Sequence, residues 1–249
     1  MKTKQTIGYK PVSPCDKKLL EYIEETYLSS FPISERRDFE LVKNLLVGNP
    51  AFKINALMKE EIYVGFITAW TFETFIYVEH FAIDEKARNG GIGAKALKQF
   101  MELCKLPIVL EVELPQDEFS KRRIGFYERL GFRLNHHSYK QPPYRPGGEW
   151  LDLLLMTYGN LDLNDQYEVV KDTIHDKVYG YNKKGRINIL PFLLCISFFL
   201  FCPLSCRITN FKCVCFTKCL FDISNHTHFG FSVSFDRYCH KWLVFFFHT

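Results

Sequence analysis

The stretch from residue 75 to residue 93 most narrowly limits how this chain can fold. An alternating apolar segment, Phe75 to Ile83, leads through a short charged loop into the turn Arg88-Asn89-Gly90-Gly91-Ile92-Gly93. The alternation predicts a half-buried strand, and a helix is predicted to begin near Ile92. A strand, a glycine turn and a helix in this order form an arrangement that binds phosphate groups.

The glycines give this turn its anion-binding character. Gly90, Gly91 and Gly93 carry no Cβ and tolerate positive φ, so several backbone N–H groups can converge on one anion. The first N–H groups of the following helix, and the positive end of its dipole, add to the same position. Arg88 and Lys95 bring full positive charges. The turn is therefore predicted to bind a pyrophosphate, although glycine turns also occur as plain chain reversals.

Two motifs together resemble the GNAT superfamily of N-acetyltransferases. Arg88, Gly91 and Gly93 reproduce the R-x-x-G-x-G pattern of its acetyl-coenzyme A (acetyl-CoA) loop, after a strand that ends at Ile83. Residues 123–132, which read Arg-Ile-Gly-Phe-Tyr-Glu-Arg-Leu-Gly-Phe, resemble the second signature, a helix that carries a Tyr and ends at Gly-Phe. A predicted strand, Ile108 to Glu113, separates the two motifs, as it does in the family.

The resemblance implies an α/β (α+β) GNAT fold. Its mixed central sheet has about six to seven strands flanked by helices, with an antiparallel meander followed by a parallel pair that splays at the cofactor cleft. Short breaks between apolar runs agree with the meander, and Gly65 predicts a bulge or a close backbone approach. The predicted strands are 52–58, 62–72, 75–83, 108–113, 133–139 and 150–158, and the predicted helices are 16–28, 34–46, 92–104, 120–130 and 165–178.

The resemblance also implies a reaction and its co-substrate. The acetyl group of acetyl-CoA passes to a primary amine by direct attack, and no metal takes part. A backbone N–H of the central strand then faces the thioester carbonyl. The cofactor-binding positions carried over from the two motifs are Phe81, Ala82, Ile83, Arg88, Asn89, Gly90, Gly91, Ile92, Gly93, Ala94 and Tyr127.

The attacking amine must lose a proton to a base. Glu79 is the first candidate because it lies on the central strand four residues before Ile83, and His80 is the second because its ordinary pKa is already in range. Strand alternation predicts that the two side chains point to opposite faces, with Glu79 on the face of Phe81 and Ile83. Another base, or none, stays open.

Tyr127 is the candidate general acid for the departing thiolate, since it stands at the family's Tyr position; the alternative is a Tyr that only packs in the core. The Asn that often precedes this Tyr is absent. One carboxylate of Glu111 and Glu113 is expected to point inward, where it could grip an ammonium group. The aromatic, Pro-stiffened segment from Tyr139 to Tyr144 is a candidate wall of the acceptor pocket, or an ordinary rigid turn.

Composition divides the chain near residue 182. Seven of the nine Cys lie after residue 186, and residues 1–186 hold 26 acids and 27 bases. This near balance does not suggest a nucleic-acid surface. Two scattered Cys fit a reducing compartment, and the first ten residues lack the apolar core of a secretory signal. We expect a cytoplasmic catalytic domain over residues 1–182, acting on a small-molecule or peptide amine, with its oligomeric state left open.

Residues 183–249 form an atypical tail rich in Phe and Cys. Its uncharged run, residues 189–204, is shorter than the roughly 20 residues that span a bilayer and contains Pro191. Membrane anchoring and metal binding are alternatives that this pattern supports less well than a segment that is not a selected domain. Such a segment results when translation runs past the true end of a gene.

Two other functions use the same glycines. Gly91, Gly93 and Ala96 imitate a dinucleotide-binding fingerprint, with Glu111 or Glu113 about twenty residues on. In that fingerprint, however, the strand runs almost directly into the first glycine. The second alternative is a GNAT-like module that binds acyl-CoA without turnover.

Overall fold

A computed structural model describes residues 6–88 and 90–181, which fold into a mixed sheet flanked by helices. The strands are β1 (Gly8–Pro11), β2 (Phe52–Lys59), β3 (Ile62–Thr71), β4 (Ile76–Ile83), β5 (Ile108–Glu113), β6 (Arg133–Leu134), β7 (Tyr139–Gln141) and β8 (Leu151–Tyr158). The α-helices are α1 (Lys17–Ser30), α2 (Phe39–Gly48), α3 (Ile92–Leu103), α4 (Glu118–Arg129) and α5 (Leu163–Lys177). Two 3-10 turns lie at Ile33–Glu35 and Glu85–Ala87.

The strand order is β1-β2-β3-β4-β5-β8-β6, and β7 also pairs with β8. Strands β1 to β4 form an antiparallel meander, β4 and β5 pair in parallel, and β8 is antiparallel to its three partners. The mixed sheet with its splayed parallel pair is therefore confirmed. Among the described strands only β4 and β5 are parallel, which excludes the doubly wound sheet of the dinucleotide-binding reading.

Each face of the sheet carries its own apolar core. Helices α1, α2 and α5 cover one face, where their side chains join a cluster that includes Tyr27, Trp70 and Ile174. Helices α3 and α4 cover the other face, where Leu97 and Ile124 join a second cluster. Removal of these apolar side chains from water is the main force that holds the helices on the sheet.

The observed elements differ from the prediction in three places. The second helix begins at Phe39 rather than Ser34, because the backbone is extended at Arg36. The side chain of the next residue, Arg37, reaches into the interior and pairs with Glu79. The short edge strand β1 was not predicted, since its four residues include a Gly and a Pro. The run from Arg133 to Tyr139 is broken into β6 and the start of β7 rather than continuous.

The predicted tail, residues 183–249, lies outside the described residues. In the part of the chain that the structure does describe, no helix combines the length and apolarity needed to cross a membrane.

Candidate active site

The parallel strands β4 and β5 separate after only three residue pairs. Pairing runs from Ile76–Ile108 to Val78–Leu110, whereas β4 continues to Ile83 and β5 to Glu113. The next residues along the two strands are Glu79 and Glu111. The gap that opens beyond them is lined by both strands and forms a cleft of about 440 Å³.

A β-bulge places Glu79 at this fork. Thr68 pairs with His80 and Ala69 pairs with Val78, so Glu79 is the extra residue opposite β3. A bulge interrupts the alternation of side chains. The prediction that Glu79 and His80 point to opposite faces is therefore wrong: both side chains lie on the face of α1 and α5, where each contacts Tyr144. Phe81 and Ile83 pack on the other face.

Glu79 is held as an ionised carboxylate. Its Oε1 accepts hydrogen bonds from the Arg37 Nη2 at 2.8 Å and from the Tyr144 hydroxyl at 3.1 Å, and its Oε2 accepts one from Trp70 Nε1 at 2.7 Å. The side chain is 1% exposed. Burial alone would raise the pKa of Glu79, but the Arg37 charge, the neighbouring His80 and the hydrogen bonds together lower it.

Glu111 occupies a different environment on the other side of the fork. Its carboxyl accepts hydrogen bonds from the hydroxyls of Tyr139 and, at 2.8 Å, Tyr179. The Tyr77 hydroxyl adjoins this group, 3.1 Å from the Tyr179 hydroxyl. Burial raises the pKa of Glu111 to about 7, against the lowering effect of these three hydroxyls. Among the described residues, no Lys or Arg forms an ion pair with Glu111.

Hydroxyl groups join the two carboxylates into one network. Tyr144 donates to Glu79, its oxygen lies 3.4 Å from that of Tyr179, and Tyr179 donates to Glu111. Arg37 also lies over the Tyr144 ring, 4.6 Å from its centroid, and donates to the Val178 carbonyl at 2.8 Å. Burial raises the pKa of both tyrosines well above the ordinary value, so that they remain neutral donors.

His80 is buried and engaged in two hydrogen bonds. Its Nε2 lies 3.1 Å from the Glu35 carbonyl and its Nδ1 lies 3.4 Å from Thr68 Oγ1. The rings of Tyr27 and Phe31 pack against it edge-on. Burial lowers the pKa of His80, which keeps the imidazole neutral at physiological pH.

The glycine turn leads into α3 as the sequence predicts. Gly91 caps the helix with a φ of 66°, and the first hydrogen bond of the helix runs from Lys95 N to the Gly91 carbonyl at 3.1 Å. The N–H groups of Ile92, Gly93 and Ala94 therefore precede the first helical hydrogen bond and stay available to an anion. No atom lies within 4 Å of where a Gly91 Cβ would stand, so the space beside the turn is open. The predicted residue Asn89 lies outside the described residues.

Arg88 and the end of β4 connect this turn to the cleft. The Arg88 guanidinium donates to the Ile83 carbonyl at 3.0 Å and to Ser30 Oγ at 3.2 Å, and Arg88 lines the cleft. Gly93 approaches Ile83, since a Cβ on Gly93 would stand 3.5 Å from the Ile83 side chain. The structure thus brings the turn, Arg88 and the strand end together.

Gly65 fixes how closely β3 approaches this part of β4. A Cβ at Gly65 would stand 2.3 Å from the Ala82 carbonyl oxygen, which is too close for any side chain. A bulge in the pairing of β2 with β3 lies beside it, where the register shifts between Leu57 and Met58. The close approach predicted for Gly65 is confirmed, and it supports the backbone of residues 81–83.

Tyr127 reaches the cleft from α4. The side chain lines the cleft, and its hydroxyl makes no hydrogen bond to any other described residue. Burial raises the pKa of Tyr127 to about 12, so the group is protonated at neutral pH. Nearby, Arg123 and Glu113 form an ion pair at 2.6 Å on the rim. Tyr127 thus lines the cleft with a protonated hydroxyl to which no other described residue is hydrogen-bonded.

The sequence alone did not identify Arg37 or Tyr179 as site residues. Arg37 reaches Glu79 across 42 positions of the chain, and Tyr179 reaches Glu111 across 68. Neither belongs to a local motif, so no signal in the sequence marked them. Within residues 6–88 and 90–181, no group of three or more His, Cys, Asp or Glu side chains is placed to hold a metal ion.

Comparison with known proteins gives consistent results. The model of the acetyltransferase (GNAT) family matches residues 17–132. A GNAT-family protein of Bacteroides thetaiotaomicron, described as an acetyltransferase, is 41% identical; the match covers 70% of this chain and 98% of that protein, with a TM-score of 0.68. No curated protein matches the chain by sequence.

Other solved structures match the chain at lower similarity. The Arabidopsis thaliana protein NAA60 in complex with acetyl-CoA is 21% identical, with a TM-score of 0.45 and coverage of 61% of this chain and 98% of that one. The ribosomal-protein-S18-alanine N-acetyltransferase of Escherichia coli is 17% identical, with a TM-score of 0.44 and coverage of 63% and 99%.

Proposed function

The chain belongs to the GNAT family of acetyltransferases, and on that premise we propose that it transfers the acetyl group of acetyl-CoA to a primary amine. The observation that carries the proposal is the fork between β4 and β5, which lies near the start of α3, a helix without a side-chain cap, and is lined by Tyr127. The acceptor is a small molecule or a peptide, and the reaction takes place in the cytoplasm.

The residues present fit acetyl-CoA in three places. The N–H groups of residues 92–94, the α3 dipole and the glycine turn suit its pyrophosphate. Beyond Val78, no described residue of β5 pairs with β4, so the backbone groups of residues 81–83 that face the gap, other than the Ile83 carbonyl held by Arg88, can hydrogen-bond to the pantetheine arm and the thioester carbonyl. The cleft between the strands has room for the thioester and the amine.

The reaction needs one proton acceptor and one proton donor. The amine nitrogen attacks the thioester carbonyl carbon, a C–N bond forms, and the C–S bond breaks. Tyr127 donates its proton to the departing sulfur; a pKa of about 12 keeps that proton in place until the thiolate develops. Net transfer converts the amine and acetyl-CoA into the acetamide and the free thiol.

Glu79, the first candidate base from the sequence, is better suited to a supporting role. Its lowered pKa and three hydrogen-bond donors leave it with little tendency to accept a proton at neutral pH. We assign it, with Arg37, to fixing the wall of the cleft. His80 is similarly occupied by the Glu35 carbonyl and Thr68.

Titration calorimetry with acetyl-CoA, followed by a thiol-release assay over a panel of amines, tests the proposal. A Cβ on Gly90 would meet the Ile92 side chain at 3.6 Å, an ordinary van der Waals contact, so Gly90→Asp adds a negative charge without a clash, and Gly90→Asn is its neutral, isosteric control. We expect the Asp variant to weaken acetyl-CoA binding by about tenfold or more, as a like charge near the pyrophosphate costs roughly 1–2 kcal/mol, and the Asn variant to bind as the wild type does.

The second candidate function is an acyl-CoA-binding module without turnover. Tight binding of acetyl-CoA with no thiol release from any amine would favour it. Absence of binding would overturn both functions. The free Tyr127 hydroxyl in the cleft favours the enzyme, because a binding module has no need of a proton donor there.

A further inference from the structure

We propose that Glu111, at the fork of the parallel strands, receives the proton of the attacking amine. The inference rests on the proposed acetyl transfer and assigns its base to β5 rather than to β4. It differs from the sequence-based prediction, which named Glu79 and His80.

The position of Glu111 suits a group that meets the substrate. It is the first residue of β5 beyond the last pair with β4, and it lines the cleft. The carboxyl faces Tyr139 of β7, Tyr179 after α5 and Tyr77 of β4, and Glu79 contributes a negative charge from across the fork. An amine that enters between the strands therefore meets Glu111 where the thioester must also lie.

The partners of Glu111 are all neutral. Burial holds the pKa of each of the three tyrosines well above its ordinary value, so none of them is a competing anion. A carboxylate in such surroundings lacks a compensating cation and is stabilised by a proton or by a bound ammonium group. An incoming amine supplies either an ammonium group or, during the reaction, a proton.

The other acidic side chains of the cleft are less suited to the task. Glu79 is paired with Arg37 and Glu113 with Arg123, so both carboxylates are compensated. Glu35 lies in the 3-10 turn after α1, and its charged neighbours are Glu113 and Arg123 rather than the groups at the fork. Glu111 alone among these four combines the fork position with neutral donors.

Glu111 and Tyr127 together account for both proton transfers of the reaction. As the C–N bond forms, the N–H proton passes to the Glu111 carboxylate, which becomes a carboxylic acid. As the C–S bond breaks, Tyr127 protonates the sulfur. Glu111 then returns its proton to water and Tyr127 regains one, so that both groups are restored. The tyrosine hydroxyls around Glu111 hydrogen-bond to it in either state.

Three variants test the inference: Glu111→Gln, Glu79→Gln and Glu113→Gln. The rate of thiol release is measured from pH 5.5 to 9 with one accepted amine, as kcat/KM for the unprotonated amine. Calorimetric binding of CoA checks that each variant is folded. We expect the wild type to show an ionisation near pH 7. Glu111→Gln should lose that ionisation and at least about 100-fold in kcat, the usual contribution of a general base. Glu79→Gln and Glu113→Gln should keep the ionisation.

The outcomes separate this inference from the function on which it rests. A wild type that releases no thiol with any amine overturns both. An active wild type whose ionisation persists in Glu111→Gln, with kcat within threefold, overturns the role of Glu111 only. If the ionisation disappears in Glu79→Gln instead, the base lies on β4, as the sequence predicts.

Discussion

The raised pKa of Glu111 has a consequence for stability that can be measured without any substrate. A carboxyl with a pKa of about 7 in the folded protein and 4.5 otherwise binds more protons in the folded state between these pH values. Unfolding therefore becomes easier as the pH rises through this window. The stabilisation by the protonated carboxyl is fully present below pH 4.5 and is lost by the time the pH has passed 7.

The size of this effect follows from the same two values. The rise from 4.5 to about 7 corresponds to roughly 3 kcal/mol at about 1.4 kcal/mol per pH unit. Glu111 is partly open to the cleft, so this figure is an upper value. Replacement by Gln, which is neutral at every pH, removes the cost of ionising the group inside the folded protein.

Urea denaturation of the wild type and of Glu111→Gln, at pH 5 and at pH 8.5, measures the effect. The difference in unfolding free energy between the two proteins should shift in favour of Gln by up to about 3 kcal/mol from the lower to the higher pH. Any change in hydrogen bonding that is independent of pH cancels in this comparison. A difference that is the same at both pH values would refute the reasoning.

Three further predictions concern the packing and chemistry of the site. Arg37→Met leaves the Glu79 carboxylate buried without a partner and should cost about 3–5 kcal/mol in urea denaturation, whereas adding Glu79→Gln should recover most of the loss; equal stability of the single and double variants would contradict the pairing. Gly65→Ala places a Cβ 2.3 Å from a β4 carbonyl oxygen and should destabilise the protein by at least about 1–3 kcal/mol, while the control Gly48→Ala, which meets no atom within 4 Å, should not. Tyr127→Phe should lower kcat by about 100-fold with CoA affinity unchanged, and an unaltered kcat would remove Tyr127 as the acid.

The sequence predicts those parts of the fold that local patterns determine. β5 is found at residues 108–113 as expected, and α3 begins at Ile92, since a run of β-branched residues and a glycine N-cap are both local signals. No local pattern in the sequence indicates the bulge at Glu79. It arises from the pairing of β4 with β3, and one extra residue there reverses the predicted orientation of Glu79 relative to Phe81.

The electrostatic character of the candidate site depends on long-range contacts in the same way. Two glutamates on neighbouring strands look alike in the sequence, yet one meets Arg37 and the other meets only hydroxyl groups. Burial raises the pKa of Glu111 to about 7, and the segments that help to bury it, with Tyr139 and Tyr179, are distant in the chain. No pattern within β4 or β5 specifies those neighbours.

The residues at the end of α5 limit how far the chain can be truncated without loss of contacts in the candidate site. The family match stops at residue 132, but Val178 and Tyr179 hold Arg37 and Glu111 in place from a point 46 residues later. A fragment trimmed to the matched region would keep the glycine turn and α3 but lose Tyr144 beside Glu79 and both Tyr139 and Tyr179 beside Glu111. To transplant the surroundings of Glu79 and Glu111 into a relative, residues 139–179 would accordingly have to be exchanged together with the two strands.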